Sequence, residues 1–186
     1  PLLLLFLADF QRWMDYVEAS GGEKFNKENN FEKYIPKEGD MFLAINDALI
    51  AAQTAVLAAE DLGLGSCYIG DIMENFEIHK ELFNLPKYVL PITMLCIGYP
   101  TEQQKNRTMR RRYFTKNMIF HKNIYQKPSV EEFRTMDKEI AEKDSPVFLA
   151  GCHNQAIHMY KRKITSNFMT EMNRSVRAMI DSWLKS

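Results

Sequence analysis

Between Asn46 and Asp71 the apolar positions lose the one-sided spacing of a surface helix. Such a helix shows one apolar stripe about 100° wide. Here Ala48, Leu49, Ile50, Ala51, Ala52, Ala55, Val56, Leu57, Ala58 and Ala59 cover most of the circumference. Polar groups are confined to Asn46/Asp47, Gln53/Thr54 and Glu60/Asp61, which are seven residues apart and stack in one narrow line. The pattern predicts a helix from about Met41 to Leu62, buried on several sides in its own domain or against a second copy of the chain. Gly63 and Gly65 follow it and are expected to take the positive-φ positions of a C-cap and a tight turn. A short strand, Ser66–Ile69, then runs into Gly70 and Asp71.

Two further apolar runs, Leu2–Leu7 and Tyr88–Ile97, read as buried strands, with Pro91 tolerable near a strand start or at an edge. The first is too short to span a bilayer and lacks the basic flank of a signal peptide. A buried strand this early implies neighbours on both sides, and so a segment preceding Pro1. Helical spacing recurs in Asp9–Ala19 (Phe10, Trp13, Met14, Val17) and in a segment capped by Asn75 that stops before Pro86. Ser129–Glu132 has the form of a capping box opening a helix with Val130, Phe133, Met136 and Ile140 on one face. The last helix carries Phe168, Met172, Val176, Met179, Ile180 and Trp183 at helical spacing. Residues 20–40 are polar and hold Gly21-Gly22 and Pro36, which suggests a mobile excursion; residues 117–127 read as an extended arm. Helices around a small central sheet make an α+β class, in a single domain over residues 1–186.

Composition narrows the function more by exclusion than by assertion. Twenty-four basic residues balance twenty-four acidic ones, so no global field favours nucleic acid or an anionic membrane. Three cysteines, Cys67, Cys96 and Cys152, are odd in number and widely spaced, which points to a reducing, intracellular compartment rather than a disulfide framework. Phosphate-binding glycine loops, the Gly-x-Ser-x-Gly elbow and metal-ligand spacings of His121, His153 or His158 with the cysteines are all absent. Two features remain. Gly63–Asp71 is either a helix cap and strand end or a place where a flat ligand approaches the backbone. The run Lys105, Arg107, Arg110, Arg111, Arg112 and Lys116 is either a solvated face or a phosphate grip. Together they could hold the ring and the phosphate of one mononucleotide.

The stretch DALIAAQTAVLAAEDLGLGSCYIGD, with Leu85-Pro86 before a strand and Leu95-Cys96-Ile97-Gly98-Tyr99-Pro100 after it, resembles the FMN-dependent nitroreductase family, in its NADPH-nitroreductase and flavin-reductase branch. Leu5–Phe10 and His121–Tyr125 are similar to further parts of that family. The resemblance implies a homodimer with FMN sites at the interface, the long helix forming much of that interface, and the 117–127 arm reaching onto the partner. It implies an NAD(P)H-dependent oxidoreductase with NAD(P)H as co-substrate, reducing nitroaromatics, quinones or flavins by ping-pong hydride transfer in the cytoplasm. Carried over by position, Tyr68, Ile69, Gly70 and Asp71 would lie along the isoalloxazine. Arg110 and Arg112 would reach the FMN phosphate, with Arg111 competing for that role. No side chain is implied as a general acid or base, and no metal. The family's Ser-x-Arg phosphate motif belongs to an N-terminal helical region that this sequence does not contain, which agrees with a segment preceding Pro1. A flavin-free dimeric binding protein of the same fold is the alternative.

Overall fold

The computed structural model describes residues 1–107, 127–144 and 146–185. They fall into two compact units, Pro1–Lys105 with Glu171–Ser186, and Asn106–Thr170. The first unit is built on a three-stranded antiparallel sheet in the order β1 (Leu2–Asp9), β3 (Val89–Gly98), β2 (Gly65–Ile69). Around it lie α1 (Gln11–Ala19), α2 (Gly22–Asn29), α3 (Glu38–Asp61), α4 (Phe76–Leu82), the short α5 (Glu102–Lys105) and the part of α8 (Asn167–Leu184) from Glu171 onward. The second unit holds α6 (Val130–Asp144) and α7 (Gln155–Met159).

Alternation along the strands decides which face meets α3. Leu95 and Ile97 of β3 pack with Ala59 of α3 and with Leu4 and Phe6 of β1. Farther along the sheet Ala8, Leu90 and Ile92 join Met41, Ala44 and Ala48 of α3, Phe76 of α4, and Met179 and Trp183 of α8. Trp183 is fully buried, stacks edge-on against Tyr88 at 5.4 Å, and donates its indole N–H to the Lys37 carbonyl at 3.2 Å. An aromatic donor at the bottom of a core needs such a partner.

Three expectations are corrected here. Strand β1 is an edge strand among the described residues, pairing with β3 alone, and Leu2 and Leu3 are exposed. Its run of leucines serves two faces, with Leu4 and Phe6 turned toward the α3 side. Gly65 lies inside β2 without a positive φ; Gly63 alone provides one, at +70°. The end of α3 is a Schellman motif: the Leu64 N–H bonds the Ala59 carbonyl at 2.9 Å and the Gly63 N–H bonds that of Glu60 at 3.0 Å. Residues 22–29, polar enough to read as loop, form α2. It is bounded by left-handed Gly21 (φ 88°) and Asn30 (φ 56°) and lined by the Lys27–Glu23 and Lys24–Glu28 pairs one turn apart.

Pro91 stands in the central strand, where a missing N–H is normally costly. Strand β2 reaches only from Met94 to Gly98, so at Pro91 β3 has β1 as its single neighbour. The β1–β3 register also shifts there: Phe6 faces Thr93 and Leu7 faces Pro91, leaving Ile92 as the extra residue of a bulge. Asn75 does precede α4, but its side chain does not cap it. Instead α8 does so, Glu171 accepting the Asn75 N–H at 3.1 Å and Ser175 the Phe76 N–H at 2.9 Å. In the second unit the capping box of α6 is reciprocal: Ser129 N–H to Glu132 at 2.7 Å and Glu132 N–H to Ser129 Oγ at 3.2 Å. These bonds hold the Glu132 carboxyl below its ordinary pKa.

Candidate functional site

The Schellman end of α3 returns the chain directly into β2, so the helix and strand are joined by the two residues Gly63 and Leu64 after Leu62. Tyr68 points to the α3 side, its neighbour in register being buried Leu95, and its hydroxyl donates to Gln53 Oε1 of α3 at 3.3 Å. Gln53 belongs to the polar line of α3; the seven-residue spacing of that line was the signal, and its partner on β2 could only come from the fold. Ile69 faces Met94 and is half-buried. The strand ends at Gly70, which opens a single 3₁₀ turn, Gly70–Met73, pinned underneath by buried Ile72 and closed by the Glu74 N–H on the Asp71 carbonyl at 2.9 Å.

Tyr68, Ile69, Gly70 and Asp71 are thus contiguous, and Tyr68, Gly70 and Asp71 face solvent. Gly70 has neither a positive φ nor a crowded neighbour: a Cβ built on it meets nothing within 4 Å. The chain's own packing does not require glycine there. Strand β2 pairs with β3 on one edge and, among the described residues, carries no strand on the other. Backbone donors beside an open glycine fit the edge of a flat, hydrogen-bonding ring. Arg110, Arg111 and Arg112, expected at a phosphate, and most of the 117–127 arm lie outside the described residues. No group of three or more metal-ligating side chains occurs among the described residues.

The strongest electrostatic feature of the first unit lies elsewhere, where α8 meets α4. Arg174 donates to both carboxylate oxygens of Glu77, at 2.7 and 3.0 Å, and to both of Glu171, at 2.8 Å each. The guanidinium bonds pull the Glu77 carboxyl down to about 2 and lower Glu171 as well. At the start of α3, Asp40 accepts both the Tyr34 hydroxyl at 2.6 Å and the Lys37 N–H at 2.9 Å, which raises the Tyr34 phenol.

A second surface bears on the site because it belongs to the same helix. The face of α3 turned from the sheet exposes Leu43, Ile50 and Leu57, each seven residues from the next and each about 60% exposed or more, flanked by Phe42 and Leu49. By length and composition α3 is also apolar enough to cross a bilayer.

Residues 3–99, just over half of the chain, match the model of the nitroreductase family. The oxygen-insensitive NADPH nitroreductase of Salmonella typhimurium is 37% identical over 102 residues, covering 55% of this chain and 41% of that protein. The FMN reductase (NADPH) of Bacillus subtilis is 30% identical over 142 residues, covering 74% of this chain and 52% of that protein. The chain therefore spans about half the length of these two relatives. Among solved structures, the fold superposes on Bacillus megaterium NfrA2 with a TM-score of 0.69 at 25% identity, over 94% of this chain and 68% of that one. It also superposes on the Vibrio harveyi NADPH:FMN oxidoreductase complexed with NAD⁺, with a TM-score of 0.68 at 19% identity, over 96% and 66% of the two chains.

Proposed function

Since the chain belongs to the nitroreductase family, we propose that it is an FMN-dependent NAD(P)H oxidoreductase of the NADPH-nitroreductase and flavin-reductase branch. It would act in the cytoplasm as a homodimer on a nitroaromatic, a quinone or a free flavin. The observation that carries this reading is the open strand end at Gly70, an exposed glycine that neither backbone conformation nor packing demands. The names of the two relatives above, one an NADPH nitroreductase and the other an FMN reductase, support the same chemistry.

The described residues fit one edge of the cofactor. Bound FMN supplies the two-electron chemistry between NAD(P)H and the acceptor, in two half-reactions of a ping-pong cycle. Backbone N–H groups near Gly70 would donate to the polar edge of the ring, and Tyr68, held by Gln53, would bound it on the helix side. By the resemblance to the family, Arg110 and Arg112 would reach the phosphate, with Arg111 competing for that role. Position and electrostatics are the protein's contribution, and no side chain is assigned a proton transfer.

Homodimerisation gives the exposed stripe of α3 its cover. Leu43, Ile50 and Leu57 at seven-residue spacing are what a second copy of the helix would meet. The polar line Asn46/Asp47, Gln53/Thr54, Glu60/Asp61 along the same helix disfavours lipid as the cover.

The deciding experiment is a visible spectrum of the purified chain after incubation with FMN and removal of the excess, followed by addition of NADPH. Retained flavin absorbance that bleaches with NADPH is expected. Arg110→Ala combined with Arg112→Ala should weaken retention. A chain that stays colourless, yet dimeric, is the flavin-free binding protein instead.

A further inference from the structure

The cysteines that stand apart in the sequence are brought together by the sheet. Cys67 of β2 and Cys96 of β3 are direct partners in the antiparallel register, and both are free thiols. Directly opposed residues of an antiparallel pair have Cα atoms about 4.5 or about 5.5 Å apart, depending on the type of pair. Both distances fall within the range of about 4.4–6.8 Å that a disulfide spans. Their side chains share one face. Leu95, Ile97 and Tyr68, the neighbours in sequence, serve the α3 side, so Cys67 and Cys96 occupy the opposite side of the sheet. Cys67 is exposed and Cys96 half-buried, which gives an oxidant one sulfur to reach and leaves the other beside it.

We propose that Cys67 and Cys96 form a reversible cross-strand disulfide, making this sheet face a site of oxidative modification by peroxides. The Cys67 thiolate attacks hydrogen peroxide: an S–O bond forms, the O–O bond breaks, and hydroxide leaves as water after taking a proton. The Cys96 thiolate then attacks the Cys67 sulfur; the S–S bond forms, the S–O bond breaks, and a second water departs. Two thiols lose two electrons to one peroxide, which becomes two waters. Closing the link draws the Cβ atoms together by about 0.7–1.7 Å from their ordinary cross-strand separation. Strand β2, an edge strand held by β3 alone among the described residues, can make that adjustment. A link closed under such strain is readily reduced, which makes it a switch rather than a permanent staple. It would lock the strand that carries Tyr68 and leads to Gly70, although its formation does not depend on the flavin reading.

The test is peptide mapping of the full chain, without added flavin, after treatment with hydrogen peroxide and capping of remaining thiols. Lys80 and Lys87 separate the two cysteines into different tryptic peptides. A linked pair containing Cys67 and Cys96 is expected. It should vanish on treatment with dithiothreitol, be absent in Cys67→Ser and in Cys96→Ser, and persist in Cys152→Ser. If Cys67 instead accumulates as sulfinic or sulfonic acid with Cys96 still capped, or if links form only to Cys152 or between chains, the proposal is overturned.

Discussion

Ser175 of α8 accepts the Phe76 N–H at 2.9 Å and donates its own hydroxyl to the Met73 carbonyl at 2.6 Å, so one buried oxygen joins the end of the Gly70–Met73 turn to the start of α4. Ser175→Ala should therefore cost about 1–3 kcal/mol, the penalty for leaving buried polar groups unsatisfied rather than the value of a hydrogen bond. Urea denaturation should show the lowered midpoint with an unchanged slope.

Acid should loosen the α4–α8 contact through Glu77. Its carboxyl, held by the Arg174 guanidinium, titrates at about 2 when folded, against an ordinary 4.5. A depressed pKa stabilises the fold fully above the unfolded value, and the contribution disappears as pH falls from about 4.5 toward about 2. The pair is about half-exposed, so solvent screening reduces the Glu77 contribution to about 1 kcal/mol. The stability difference between wild type and Glu77→Gln, followed by urea unfolding at stepped pH, should shrink across that window and be flat above it.

Two glycines separate folding from binding. Gly63, at a φ of +70°, should lose about 1–2 kcal/mol of stability on change to Ala, because a Cβ is disfavoured in the left-handed region. Gly70→Val adds side-chain atoms in open space. It should leave the urea midpoint within the equivalent of about 0.5 kcal/mol while weakening FMN retention about tenfold or more, equivalent to about 1.4 kcal/mol. Wild-type retention by Gly70→Val would remove the ring from this strand end.

Ile50, 66% exposed at the middle of the α3 stripe, is the place to test self-association. Ile50→Glu would bury a charge from each copy in a two-fold contact. The dimer dissociation constant should rise about a hundredfold, equivalent to about 2.7 kcal/mol. Sedimentation equilibrium reads this directly, and an unchanged dimer would place the contact on another surface.

Local patterns were enough for much of this fold. The apolar circumference of Ala48–Ala59, the Ser129–Glu132 box and the spacing of Val176, Met179, Ile180 and Trp183 located α3, α6 and α8 because each signal lies within one element. The three strands were equally legible as apolar runs. Several of the failures depended on residues far away in the chain. Whether Leu2–Asp9 is an edge or a centre depends on which strands pair, and Pro91 is tolerated only because β2 stops short of it. Asn75 was a sound choice for a cap position, yet the capping groups come from Glu171 and Ser175. Tyr68–Asp71 was readable as a strand end because it is contiguous; the pairing of Cys67 with Cys96 was not, because only register creates it.

The position of β3 between its two neighbours also sets a timetable for synthesis. Strands β1 and β2 leave the ribosome before β3, the strand that joins them; Leu2 must wait for Ile97. The first unit then remains unfinished while residues 106–170 are made, because the segment from Glu171 onward supplies Met179 and Trp183 to its core. Throughout that interval the end of the core formed by Ala8, Leu90, Ile92 and Met41 lacks the Met179 and Trp183 that complete it. Such a chain is aggregation-prone when translation stalls before Trp183.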